Sequence, residues 1–228
     1  MKDLFEVFFE PGKVFTGLTG RRGAWVVPML ANTILLIAST VVTMHVMGMD
    51  LIMRQRFASS NMSPEQMQAA MERAASPVMS WIIYGSVAIF TPIGMVIVAG
   101  LLMVFGMMSS KPPKFGAMLA MVNLAFFPYF LVTAVMTALV TIAAPDKTAL
   151  NIDNLLATNV GAFVNKSETS KGLYALFTSI DVLSIIEIGL LSFGFSKVTK
   201  TGFGAGLGAV TAIWILYVAS KMAASLFQ

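Results

Sequence analysis

Apolar residues run along this chain in five long stretches, which short polar segments separate. A bilayer core roughly 30 Å thick requires about 20 apolar residues in a helix, because only a helix satisfies its own backbone hydrogen bonds there. The stretches that reach this length are residues 26–48, 78–108, 116–144, 173–195 and 204–226. The pattern therefore predicts one all-α polytopic membrane domain over residues 1–228, a bundle of about five transmembrane helices.

The segments outside these spans have patterns of their own. Residues 4–18 alternate Phe, Val and Leu with charged residues around Pro11 and Gly12, which predicts a short amphipathic helix flat on the membrane surface, broken at that pair. Two long loops, 49–77 and 145–172, follow the first and third spans. In the first loop, Ser63-Pro64-Glu65-Gln66 is the start of a capped helix. In the second, 149–164 predicts an amphipathic or partly re-entrant segment.

Composition supports a membrane protein and excludes several classes of function. Hydrophobic residues make up 57% of the chain and charged residues only 11%, whereas soluble proteins are about 25% charged. The chain has no cysteine, so disulfides, zinc-thiolate sites and thiol nucleophiles are impossible. The net charge of +4 is spread over loops without a dense basic face, so we expect no nucleic-acid partner.

The distribution of lysine and arginine predicts the orientation. The N-terminal segment and the short connectors 109–114 and 196–201 are rich in these residues, whereas the two long loops and the C-terminus carry nearly equal numbers of bases and acids. Lysine and arginine are enriched in short cytoplasmic loops. We therefore expect a cytoplasmic N-terminus and, after an odd number of spans, an extracytoplasmic C-terminus.

Two carboxyl groups in the fourth predicted span form the main candidate site. Asp181, Ser184 and Glu187 are spaced three residues apart, so all three could face one groove of the bundle. An ionisable group in a span suggests a function, here a relay for protons or cations. The alternative is structural: Asp181 bonds a neighbouring helix, and Glu187 pairs with Asn123 or with a backbone group freed by a proline.

Other motifs have simpler explanations. His45 and several methionines near it could bind a soft metal ion, but methionine also fills apolar contacts and is scattered through every span, so we expect no metal or cofactor. Gly204 and Gly208 open a predicted membrane helix without a preceding strand, which indicates close helix packing and not a phosphate loop. The one histidine lies at a helix end with no His-Glu-x-x-His motif, which disfavours hydrolase chemistry.

The order of these parts resembles the Yip family of membrane proteins. The resemblance rests on Phe-Phe-Glu-Pro-Gly-Lys-Val-Phe at 8–15, and on a stretch that starts with Asp-Val-Leu-Ser at 181–184 and ends with Ser-Lys-Val-Thr-Lys at 196–200. Ile186 stands where bacterial members often have tryptophan. The long N-terminal domain and the Asp-Leu-Tyr-Gly-Pro signature of eukaryotic members are missing, so a bacterial cytoplasmic membrane is the expected location.

The resemblance implies an adaptor and no catalytic residues. Eukaryotic members look like trafficking adaptors that recruit small GTPases, and some bacterial members accompany exporters of the ABC type as partner subunits. The expected function is that of a non-enzymatic scaffold or accessory partner of another membrane assembly, in lipid and with a possible homo-oligomer. The alternative is a small transporter or channel for protons, cations or a small solute that uses Asp181 and Glu187.

Overall fold

The computed structural model describes residues 1–57, 63–109, 112–166 and 168–225, and its regular elements there are helices. The α-helices are α1 (Lys2–Phe9), α2 (Pro11–Thr16), α3 (Val26–Met47), α4 (Met49–Phe57), α5 (Pro64–Ala74), α6 (Pro77–Gly106), α7 (Phe115–Ala143), α8 (Lys171–Phe177), α9 (Val182–Thr199) and α10 (Phe203–Ser225). Short 3-10 helices cover Lys147–Ala149, Ile152–Asn154 and Val160–Phe163. Within the described ranges no strand occurs, so the predicted all-α class is confirmed.

Five helices, α3, α6, α7, α9 and α10, are long and apolar enough to cross a membrane. Their outward faces carry large exposed apolar side chains, as on α6 at Ile89, Phe90, Ile97 and Val104. Such a surface is stable in lipid and unfavourable in water. The chain is therefore a multi-pass membrane protein. We call the membrane side that holds α1 and α2 the N-terminal side, and the other side the far side.

The fourth span starts later than the sequence predicts. The apolar run from Leu173 is interrupted after α8, and α9 begins only at Val182. Asp181 causes the interruption, because its extended backbone and its carboxylate form the N-cap of α9. The span is thus 18 residues long, and α8 is a separate short helix on the far side.

Helix α7 lies at the centre of the bundle, in contact with α3, α6 and α9. Its first half is surrounded, since residues 117–125 are all buried. Helix α10 packs on α9, α8 and α6 at one edge. The hydrophobic core therefore lies around the N-terminal half of α7, toward the N-terminal side.

The predicted surface helix is two short helices packed against this core. Proline lacks the N–H group that would continue α1, and Pro11 instead occupies the first position of α2. Phe15 is fully buried against Phe193 of α9, and Phe8 packs edge to face on Phe127 of α7. The predicted break at proline is confirmed and the segment is anchored to the bundle, while its position on the membrane surface stays a prediction.

On the far side, the two long loops contact each other. Ser63 and Gln66 form the predicted capping box at the start of α5. Residues 149–164 form short 3-10 helices and no α-helix, and an amphipathic or partly re-entrant position for this segment stays a prediction. The Gln55 side chain donates to Leu150 O (2.7 Å) and accepts from Ile152 N (3.1 Å), so α4 fixes this second loop.

Candidate functional site

Glu187 and Ser184 lie on α9 and are partly buried in the bundle. Tyr129 of α7 lies close enough to Ser184, Glu187 and Asp181 to interact with them electrostatically, and Tyr217 of α10 is close enough to act on Tyr129 as well. We call Tyr129, Ser184, Glu187 and Tyr217 the intramembrane polar cluster. Three different helices supply its members, so the cluster exists only in the folded bundle.

Asp181 has a position different from that of Glu187. Its Oδ1 accepts from the backbone N–H groups of Leu183 (2.7 Å) and Ser184 (3.3 Å), and its Oδ2 accepts from the Thr158 hydroxyl (2.7 Å). A backbone bridge joins Asp181 to Asn159 beside these bonds. The carboxylate therefore caps α9 and fastens the second far-side loop, which satisfies a charged group at the end of a span.

Asn123 is separate from this cluster. It lies fully buried on α7, and its side chain donates to Leu119 O of the same helix (2.8 Å). Asn32 of α3 donates to Asn123 O (2.8 Å), which links the two helices. No hydrogen bond joins Asn123 to Glu187 among the described residues, so the expected pairing of these two side chains is not formed. The Oδ1 atom of Asn32 is also buried, and it has no hydrogen-bond partner among the residues that the structure describes.

Lys221 of α10 completes the far-side edge of the site. Its amino group donates to Thr178 Oγ1 (2.9 Å) and Ser179 Oγ (3.1 Å) in the turn between α8 and α9. Lys221 therefore fixes the turn that ends at Asp181, the N-cap residue of α9. Sequence reasoning did not connect Lys221, Tyr129 or Tyr217 with the site, because the pairing of α7, α9 and α10 is not visible in the local pattern.

The polar cluster offers hydroxyl groups and one carboxyl group within an apolar bundle. Such groups can exchange protons or bind a cation or a small polar solute. A nucleophile paired with a histidine base is not formed among the described residues, since the chain's only histidine, His45 of α3, makes no side-chain hydrogen bond there. The arrangement thus fits binding or relay and lacks the parts of a hydrolytic triad.

The predicted close helix contact occurs at Gly206 and not at its neighbours. A Cβ atom at Gly206 would lie 2.3 Å from the Ser192 carbonyl oxygen of α9, whereas a Cβ atom at Gly204 or Gly208 would have no atom within 4 Å. Gly206, Ala209 and Val210 are the buried residues on this side of α10. Gly204 and Gly208 therefore face away from the described bundle, and their role in packing stays a prediction for contacts outside it.

Among the comparisons with known proteins, the one with family models gives a match. Neither the search of curated proteins nor that of solved structures found a match to the chain. The model of the Yip1 domain family matches residues 5–224, which includes α2 to α9 in full, α1 from Phe5 onward and all but the last residue of α10. Since this match covers almost the whole chain, the protein belongs to the Yip1 domain family.

Proposed function

We propose that this protein is a non-enzymatic scaffold or accessory partner of another membrane assembly, and that α1 and α2 form its contact surface. The observation that carries the proposal is that α1 is apolar on two sides. Leu4 and Val7 are buried on the bundle, while Phe5 and Phe9 are 70% and 85% exposed. A helix that is hydrophobic around most of its circumference is normally covered.

The polar residues of the site support a structural use. Asp181 caps α9, the Asn32 side chain joins α3 to α7 by donating to the Asn123 carbonyl, and Lys221 fastens the turn before α9. Each of these groups makes hydrogen bonds that hold the bundle together. A rigid bundle with a firmly attached surface element is what a partner subunit requires.

The proposed orientation follows from the charged residues. The basic N-terminal segment and the short connectors favour a cytoplasmic position for the N-terminal side, with an extracytoplasmic C-terminus. The proposed location is a bacterial cytoplasmic membrane. An exporter of the ABC type is the assembly that the family resemblance suggests as a partner.

Photo-crosslinking in native membranes tests the contact surface. A benzoylphenylalanine at Phe9 should give a reproducible crosslink to one membrane protein, which mass spectrometry then identifies. The same group at Leu216, exposed on the outward face of α10, serves as the matched control for lipid-facing positions. If both positions gave only lipid adducts or the same scattered proteins, α1 would not be the partner surface.

The second candidate function is a passage for protons, cations or a small solute, and the polar cluster favours it. Glu187, Ser184 and Tyr129 meet within the bundle, where an ionisable group is costly unless it has a use. Sealed liposomes with purified protein should then show a pH- or solute-dependent flux that Glu187→Gln abolishes and Glu65→Gln, on the exposed face of α5, preserves. Absence of flux from correctly folded protein would exclude this function.

A further inference from the structure

A cavity of about 200 Å³ lies where the N-terminal helices meet the beginning of α3. We call it the N-terminal cavity, and its volume is several times the roughly 30 Å³ that one water molecule occupies in the liquid. Arg21 and Arg22 line it beside Asp3, and apolar side chains such as Val27 and Leu124 form its other wall. The cavity is thus basic at one end and apolar at the other.

The two arginines have different partners. Arg21 forms an ion pair with Asp3, with 2.8 Å between Nη2 and Oδ2, and this bond uses only one of its five N–H groups. Arg22 is exposed and, within the described residues, makes no ion pair or side-chain hydrogen bond. The three charged groups together leave one positive charge at the cavity, with guanidinium donors free to bind an anion.

The backbone holds this pair of arginines in a defined turn. Gly20 and Gly23 flank them with φ angles of +91° and +69°, in the left-handed region that glycine adopts without strain. The turn leads directly into α3 at Val26, the first residue of a span, so the arginines lie at the depth of the lipid headgroups. The side chains are therefore presented to the membrane surface and not to the bundle interior.

We propose that the N-terminal cavity binds a phosphate group, and that the headgroup of an anionic phospholipid supplies it. Guanidinium groups bind phosphate oxygens in a planar, often bidentate, geometry, and basic pockets beside membrane helices are suited to anionic headgroups. The exposed apolar side chain of Val27 on this wall fits the glycerol and first acyl carbons of a lipid. Inorganic phosphate has no group that would use this wall.

Fluorescence of Trp25 tests the proposal on the full chain in detergent. Trp25 follows the arginine turn directly, and Trp81→Phe with Trp214→Phe makes it the only tryptophan. Dioctanoyl phosphatidylglycerol should change its fluorescence saturably, and dioctanoyl phosphatidylcholine should not. Arg22→Gln should weaken phosphatidylglycerol binding by about tenfold, the loss expected for a hydrogen bond to a charged group.

Control variants test whether the effect is specific to Arg22, and competition with inorganic phosphate distinguishes a lipid headgroup from a soluble anion. Arg22→Lys keeps the charge and should lose less affinity than Arg22→Gln, and Arg56→Gln, at an exposed far-side arginine, should bind as the unmodified chain does. Competition by millimolar inorganic phosphate would support the phosphate site but assign it to a soluble anion. Equal binding of both lipids, or no effect of Arg22→Gln, would overturn the proposal.

Discussion

Asp181 and Glu187 look alike in the sequence, as two carboxyl groups of one apolar stretch. In the structure, Asp181 lies at the N-terminal end of α9, where its carboxylate accepts hydrogen bonds from three donors. Glu187 lies six residues further along the helix, near Tyr129. The difference follows from position, because only the first turn of a helix offers free backbone N–H groups.

Asp181→Ala should therefore destabilise the protein. It removes the acceptor for two N–H groups of α9 and for the Thr158 hydroxyl, and loss of a helix cap costs about 1 kcal/mol or somewhat more. Unfolding in mixed micelles with increasing SDS measures the change, and Asp181→Asn should retain most of the stability. Asp153→Ala, which breaks an exposed ion pair with Lys166, serves as the control with a smaller effect. Equal effects of Asp181→Ala and Asp153→Ala would contradict the capping role.

Substitution of three glycines in α10 separates packing within the bundle from contacts outside it. Gly206→Ala places a methyl group against the Ser192 carbonyl and should lower the free energy of unfolding by about 1–3 kcal/mol. Gly204→Ala and Gly208→Ala meet open space, so the higher helix propensity of alanine should raise stability by up to about 1 kcal/mol. The same micelle assay reports these changes. If Gly204→Ala or Gly208→Ala altered the oligomeric state in size-exclusion chromatography, the predicted homo-oligomer would use this face.

Helix α2 attaches the N-terminal segment to the bundle. Phe15 is fully buried, packs edge to face on Phe193 and lies against Gly194, which leaves room for the ring. The attachment explains why a segment with a surface-helix pattern contributes to the core.

Phe15→Ala should release this element. Truncation of a buried phenylalanine costs about 3–5 kcal/mol, and α2 should become accessible to limited proteolysis after Lys13. Phe9→Ala removes a side chain of the same type that is 85% exposed, and we expect little change in stability or cleavage. A proteolysis pattern that was the same for both variants would show that α2 is not held by Phe15.

The sequence pattern predicts most elements well and fails where tertiary contacts decide. Hydrophobic length places four of the five spans within a few residues, because lipid imposes that length directly. For the fourth span the pattern places the beginning too early, since residues 173–180 are apolar enough to belong to a span and only the capping bonds of Asp181 show the break. The pattern also does not place Tyr129 in the candidate site, because its neighbours on α9 and α10 are distant in sequence.

The proposed orientation of the chain in the membrane gives a direct prediction. The chain has no cysteine, so each introduced thiol is the only one present. In intact cells, a membrane-impermeant maleimide should label Ser63→Cys on the far side and leave Glu10→Cys on the N-terminal side unlabelled until the membrane is broken. Labelling of Glu10→Cys in intact cells would show that the N-terminal side is extracytoplasmic and would contradict the proposed orientation.

The late start of the fourth span also gives the protein membrane helices of unequal length. Helix α9 has 18 residues and α6 has 30, which correspond to about 27 Å and 45 Å at the roughly 1.5 Å rise of an α-helix. Hydrophobic mismatch of this kind costs a fraction of a kcal/mol per Å and is relieved by tilt or by local thinning of the bilayer. Helix α6 should therefore tilt or extend into the headgroup layer, whereas α9 just spans the hydrocarbon core when it lies nearly along the membrane normal.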